Sequence, residues 1–342
     1  MGSNAFTRAV VESVVGHAIR RIAADPERGL RSLVDMGVTA ATGRFQKHYM
    51  NIIQGVLEDP ECPYYEMVCR TARQTENRNL TTFGVNVGWE SWTVGARHIR
   101  GIEAREGFDV PWSLTFHMDG SGGEGNHWSA LVRAGQEMGI YTYFLHVNGD
   151  RSALVQALEL ARQAGRCAFV LFLSPELAAP ALGELAALDN TAVMVRTAGP
   201  DWREAVGALR EERRLYGLWR LCETAEDVEG TAAWLEDIQD EGGIAAFSIA
   251  SPDCPAASRA QLRRLTEETW RGQHYPLLVF DYYDDILLVD ETISDGPCFI
   301  GVQPDGEAAV YQDGRETPLG VNLREQPLLR ALQLRSSLVQ SA

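Results

Sequence analysis

Cysteine pairs, lysine and long apolar runs are scarce, and each scarcity excludes something. Six cysteines, Cys62, Cys69, Cys167, Cys222, Cys254 and Cys298, are spread over 342 residues, and no two form a C-x-x-C pair. That spacing excludes the common zinc frameworks and reads as six reduced thiols, mostly packed as small hydrophobes. No apolar run reaches the ~20 residues of a membrane helix. The opening residues, MGSNAFTRAVVESVVGHAIRRIAADP, lack the apolar core and small-residue cleavage site of a secretion signal. They read as an amphipathic helix, and the chain as a cytoplasmic protein with no membrane partner. A single lysine, Lys47, stands beside thirty arginines, and the net charge is -16. Phosphate backbones repel such a polyanion, so nucleic acid is not an expected partner. The short basic runs at 96–100 and 209–214 read as solvated helix faces.

What is present is globular: 45% hydrophobic and 23% charged residues. Residues 1–110 read as a helical region. Val10, Val11, Val14, Val15, Ala18, Ile19 and Ile22 recur at helical spacing. Asp25 caps a second helix with Pro26 in its first turn, and Gly37 is placed to end it. A third helix is expected near Arg44–Leu57, and Pro63 opens a fourth. A fifth segment, Thr82–Glu106, contains Gly84, Gly88 and Gly95, which predict close packing or an irregular turn.

From Trp112 onward short apolar strands alternate with amphipathic helices. Strands are expected at Ser113–His117, Ile140–Val147, Cys167–Ser174, Thr191–Thr197, Leu215–Leu221, Ile244–Ala250 and Leu277–Phe280. Helices fill the gaps at Ser129–Met138, Arg151–Ala164, Glu176–Leu188, Trp202–Glu212, Ala225–Asp240 and Ser258–Gly272. Strand starts lie 24 to 33 residues apart, the length of one βα unit. Six or seven such units predict an α/β fold with a parallel sheet curled into a complete or partial barrel, with a flat doubly wound sheet as the alternative. No G-x-G-x-x-G follows the first strand, which counts against a dinucleotide fold. In the tail, Cys298–Val302 and Ala308–Tyr311 flank the turn Gln303-Pro304-Asp305-Gly306 and predict a β-hairpin. A short helix is expected around Glu325–Leu332. The organisation is thus a helical region at 1–110, a barrel at 111–285 and a hairpin-and-helix tail at 286–342.

Two stretches carry a resemblance. Thr82–Trp112, TFGVNVGWESWTVGARHIRGIEAREGFDVPW, resembles the segment before the barrel in a bacterial group of radical SAM proteins. There a G-F-x-x-P-W pattern leads into the first strand, here Gly107, Phe108, Pro111 and Trp112. Gly296–Leu332 is similar to the SPASM-like end of many radical SAM proteins. Gly320, Asn322, Leu323, Glu325, Leu328 and Leu332 follow its closing G-N-I-x-E-x-x-L-x-x-x-L pattern with one residue inserted. The resemblance implies a radical-SAM-like partial (β/α)6 TIM-type barrel behind a helical region, and suggests a natural-product pathway as its setting.

Such enzymes need C-x-x-x-C-x-x-C after the first strand, whose three thiolates hold a [4Fe–4S] cluster that binds S-adenosylmethionine. Here the loop His117-Met118-Asp119-Gly120-Ser121-Gly122-Gly123-Glu124-Gly125 has none. The family's G-G-E-P, which receives the cofactor's amino group, falls at Asn148, Gly149 and Asp150, with the proline replaced by Arg151. Only Cys298 remains of the tail cysteines that could hold an auxiliary cluster. The resemblance therefore implies a pseudoenzyme: a partner or scaffold for an intact radical SAM paralog or for its peptide or small-molecule substrate, with no cofactor expected. Two alternatives stay open. His117, Asp119 and His146, with Glu124 and His127 nearby, stand where barrels keep their chemistry and could act as acid and base or hold a divalent metal. Alternatively Asn148, Gly149 and Asp150 could hold S-adenosylmethionine without a cluster. Arg196, Ser174, Glu223, Ser248 and Asp281 fall near later strand ends. Asp281-Tyr282-Tyr283-Asp284-Asp285 reads as a strand-end turn, since it lacks the glycine and glutamate of a calcium loop.

Overall fold

The computed structural model describes residues 2–40, 54–55, 59, 61–121, 127–294 and 296–339. The helix expected near Arg44–Leu57 falls almost wholly outside them, and Glu124 lies outside them. Among the described residues ten strands form one sheet in the order β10-β9-β8-β1-β2-β3-β4-β5-β6-β7. They are β1 (Ser113–Met118), β2 (Thr142–Val147), β3 (Ala168–Leu173), β4 (Thr191–Arg196), β5 (Tyr216–Cys222), β6 (Ala245–Ala250), β7 (Leu278–Asp281), β8 (Gly301–Val302), β9 (Glu307–Gln312) and β10 (Arg315–Asn322). All seven expected barrel strands are present, and they pair in parallel. Their apolar runs, buried on both faces in β2, β3 and β6, are what a parallel sheet covered on each side requires.

The order β1 to β7 never reverses. With right-handed crossovers every connecting helix then falls on one face, whereas a doubly wound sheet needs a reversal. The sheet also curls. In a flat sheet β3 and β6 would lie about 14 Å apart, given ~4.8 Å per strand. Yet the rings of Phe172 (β3) and Phe247 (β6) are 5.3 Å apart, and Tyr282, just after β7, meets Thr115 on β1 with 2.8 Å between their hydroxyl oxygens. The fold is a partial barrel, and the flat alternative is excluded.

The residues expected as a turn after β7 open a helix, Tyr282–Ile293, that crosses the gap between β7 and β1. Tyr282 starts it at the C-terminal ends of the strands. At the other end Asp290, fully buried, accepts from the backbone N–H of Trp112 (2.8 Å) and of Cys298, which precede β1 and β8. The expected hairpin forms between β8 and β9, with Gly306 at φ 94° in its turn. A further strand, β10, pairs antiparallel with β9, and β8 joins the tail to β1. The closing helix lies at Leu328–Val339, later than expected, because β10 and the turn after it occupy 315–326.

Departures elsewhere have local causes. The helix expected over Glu176–Leu188 is broken into short turns around Pro180, which cannot donate an N–H. The helix expected over Ala225–Asp240 is interrupted at Gly230. Gly37 does not stop its helix, which runs Pro26–Ala40. Arg214 is buried, not solvated, and donates to the Leu188 carbonyl at the start of β4.

The N-terminal helices cover the N-terminal ends of the strands. After helix Pro63–Gln74, helices Asn77–Val85 and Ala96–Glu106 are joined by a π-helix at Asn86–Gly95, the irregular turn that the glycines predict. A Cβ at Gly95 would collide with the carbonyl of Gly139, so close approach requires the glycine. Asn79 and Asn86 are fully buried. The Asn79 amide donates to the carbonyls of Asp189 (3.0 Å) and Thr191 (2.9 Å) and accepts from the Leu215 N–H (2.8 Å). Asn86 donates to the carbonyls of Gly165 (3.0 Å) and Cys167 (2.8 Å). These two side chains satisfy backbone groups at the starts of β3, β4 and β5 that no strand partner reaches.

Candidate functional site

Paired residues of neighbouring parallel strands point to the same face. The register His117↔His146 and His146↔Phe172 therefore lines up three rings on the concave face at the C-terminal ends of β1, β2 and β3. His146 stacks on Phe172 at 4.4 Å and 8°, and on His117 at 5.2 Å and 25°. Tyr282 stands edge-on to His146 (4.9 Å), Phe172 (5.4 Å) and Phe144 (5.7 Å), and is fully buried. Trp219 and Phe247 close the far side against Phe172 at 5.8 and 5.3 Å. Burial pushes the His146 imidazole well below its ordinary value, and His117 beside it adds to the shift. His146 is thus neutral, and its Nε2 has no hydrogen-bond partner.

The tail supplies the polar member of this cluster. Glu316, on β10, reaches across to His117, whose Nε2 lies 2.8 and 3.0 Å from its two carboxylate oxygens. The Tyr283 hydroxyl donates to Glu316 at 3.0 Å, and the Gln303 amide donates to it at 2.9 Å. Tyr283 also stacks on Tyr311 of β9 at 4.0 Å and 5°, which ties the tail to the end of β7. Burial, with the Glu316 carboxylate alongside, pushes the Tyr283 hydroxyl well above its usual value. His117, at 19% side-chain exposure, keeps an edge toward solvent. A carboxylate holding an imidazole fixes its tautomer and orientation, and such a pair can move a proton.

The structure brings His117 and His146 together and gives the other named residues different partners. Asp119 is exposed and accepts from the N–H (2.8 Å) and hydroxyl (2.6 Å) of Ser121, bonds that hold its carboxyl below the usual range. Asn148 donates its N–H to the Met118 carbonyl at 2.9 Å. A Cβ at Gly149 would collide with the Asp119 carbonyl, so glycine lets the loops after β1 and β2 cross. Asp150 caps helix Arg151–Gln163 by accepting from the N–H (2.8 Å) and hydroxyl (2.6 Å) of Ser152. His127 opens helix His127–Met138 against Trp128. Arg196 lies on the concave face over Trp219 at 5.3 Å, while Ser248 faces Arg220. Among the described residues no three His, Cys, Asp or Glu side chains converge as metal ligands. Glu316, Tyr283 and Tyr282 escape the sequence reading; the one signal for Glu316 is Asp313-Gly314, a dipeptide of two-residue hairpins.

No family model and no curated protein matches this chain. Among solved structures it is similar to Streptococcus suis SuiB bound to S-adenosylmethionine, at 10% identity and a TM-score of 0.46 over 69% of this chain. The match covers 66% of that chain's length. No helix among the described residues is long and apolar enough to cross a membrane.

Proposed function

We propose that this chain is a radical-SAM-like barrel that works without an iron–sulfur cluster, as a partner or scaffold for an intact radical SAM enzyme or its substrate. One observation carries the reading: on the concave face at the C-terminal strand ends, where a barrel holds its substrate, the chain's own rings pack together. Tyr282, Phe172 and His146 pack ring on ring there, and Glu316 covers His117.

The residues at the end of β1 do not fit a [4Fe–4S] cluster, and no step is derived through one. A cubane takes soft thiolates. All six cysteines are buried, Cys167 and Cys298 at the starts of β3 and β8, and Cys222 and Cys254 in a separate apolar cluster. Burial pushes the Cys167 thiol up to about 12 and the Cys222 thiol up to about 11, away from thiolate chemistry. Cluster-free binding of S-adenosylmethionine at Asn148, Gly149 and Asp150 has less behind it. A ligand there would displace the cap of helix Arg151–Gln163 and meet the loop crossing at Gly149.

A second reading has its own observation. The His117–Glu316 pair is a carboxylate-oriented imidazole at the rim of a barrel, the arrangement of a general base. The two readings separate in one experiment. The tagged chain is recovered anaerobically from its native cells, co-purifying proteins are identified, and the chain alone is treated with iron and sulfide. Recovery of a protein with the C-x-x-x-C-x-x-C motif, with no four-iron absorption from the chain alone, supports the partner role. A robust cluster spectrum overturns it. Stoichiometric zinc or manganese that is lost in His117→Ala transfers the assignment to the enzyme reading.

A further inference from the structure

A cleft of about 650 Å3 lies at the opposite end of the barrel, where nothing in the proposed function places an activity. It is bounded by helix Gly2–Ala24, by the first turns of Asn77–Val85 and by the loops that lead into β3 and β4. Its volume falls within the range of small-molecule sites. Arg8, Arg20, Arg78 and Arg162 line it, against two carboxylates, Glu12 and Asp189. That balance is the reverse of the chain's net charge of -16.

The arginines are not equally committed. Arg8 is sunk into the wall, held at 2.7 Å by Glu12 and at 2.6 Å by the fully buried Glu90. Arg20, exposed, has among the described residues only the neutral Asn77 side-chain oxygen, at 3.1 Å. Arg162 pairs with Glu159 three residues earlier, and Arg78 with Asp189; both guanidinium side chains are at least half exposed. Exposed pairs of this kind contribute little and exchange readily.

We infer that this cleft binds a small, multiply charged anion, with Arg20 and Arg162 gripping its charged groups. Guanidinium forks match phosphate and carboxylate geometry alike, and Ala161, Ala187 and Leu188 give the cleft an apolar wall for the body of an organic anion. A ligand here would bridge the helical region and the barrel, so it would act on the join between them and not on the filled strand ends.

The full chain is titrated calorimetrically with sodium pyrophosphate and, separately, with citrate, each at constant ionic strength set with chloride. Saturable binding with one site per chain is expected from at least one of them. Pyrophosphate alone assigns a phosphate ligand, and citrate alone assigns a carboxylate. The double variant Arg20→Gln/Arg162→Gln is expected to weaken that binding by about tenfold or more, since it removes both charge-assisted contacts. Arg203→Gln, an exposed pair with Asp237 elsewhere on the barrel, is expected to change nothing. Absence of saturable heat with both anions, or equal binding by the double variant, overturns the inference.

Discussion

At the C-terminal ends of the strands Tyr282, Phe172 and His146 pack ring against ring while Glu316 crosses from the tail to His117; at the N-terminal ends four arginines surround an open cleft. Barrels ordinarily reverse these assignments. Their C-terminal loops hold the chemistry and their N-terminal face serves stability. Here aromatic rings pack at the end that usually stays open. The end that usually is sealed carries the concave, charged surface. A barrel that loses its reacting centre no longer has to keep that space free, and apolar burial then favours filling it. The difference between the ends is thus what the proposed loss of catalysis leads one to expect, and it directs attention to surfaces outside the strand ends.

The largest test of that comparison is Tyr282→Ala. If the concave space is true core, emptying it removes a fully buried ring and the bond to Thr115. A loss of about 3–5 kcal/mol is expected in urea unfolding, typical of large aromatics cut to alanine. The cleft variants Arg20→Gln and Arg162→Gln should stay within about 0.5 kcal/mol of the parent chain. A Tyr282→Ala chain that loses less than about 1 kcal/mol would mean a yielding, functional cavity instead of core.

Asn79→Ala probes the other end. It strands the carbonyls of Asp189 and Thr191 and the N–H of Leu215 beneath the helical region. The expected cost is about 1–3 kcal/mol, smaller than for Tyr282 because water can reach some of the freed groups. Hydrogen exchange should quicken at Leu215 and leave the β1–β2 amides protected.

Much of this architecture is legible in the sequence because parallel strands covered on both faces read as plain apolar runs. Ala168–Leu173 is the clearest case. His117 and His146 were equally visible, since each sits at a strand end. Glu316 was not. Its strand, Arg315–Asn322, is an edge strand with Pro318 and an irregular register, so neither alternation nor apolar content marks it. Tyr282 was hidden for a different reason. Flanked by Asp281, Asp284 and Asp285, it sits in a stretch as polar as any turn, and only the curl of the sheet makes its ring core. Asn79, Asn86 and Glu90 look like ordinary polar helix residues. Their roles depend on long-range pairing with strand starts and arginines that composition does not show.

The smallest expected effect concerns charge at the filled end. Asp285, in the first turn of Tyr282–Ile293, accepts from the Asp281 N–H at 2.7 Å. Burial pushes its carboxyl up to about 7, and the carboxylate of Asp284 adds to the shift. The unfolded value is ~3.9. A group raised on folding contributes stability that is fully present below the unfolded value and lost as pH rises through the folded one. Asp285 therefore weakens the fold progressively from about pH 4 to about pH 7. His146 works the other way: its folded value is depressed, so stability falls as pH drops below ~6.5. Asp285→Asn keeps an oxygen for the Asp281 N–H and removes the first of these slopes. The variant should gain about 1–2 kcal/mol at pH 8 and little at pH 4, since part of the side chain faces solvent. Its stability should also fall more steeply on the acid side, where His146 is no longer offset. Melting temperatures across pH 4 to 8 decide it: equal gains at both extremes would mean that Asp285 is ionised throughout and that this end of the barrel is wetter than its packing implies.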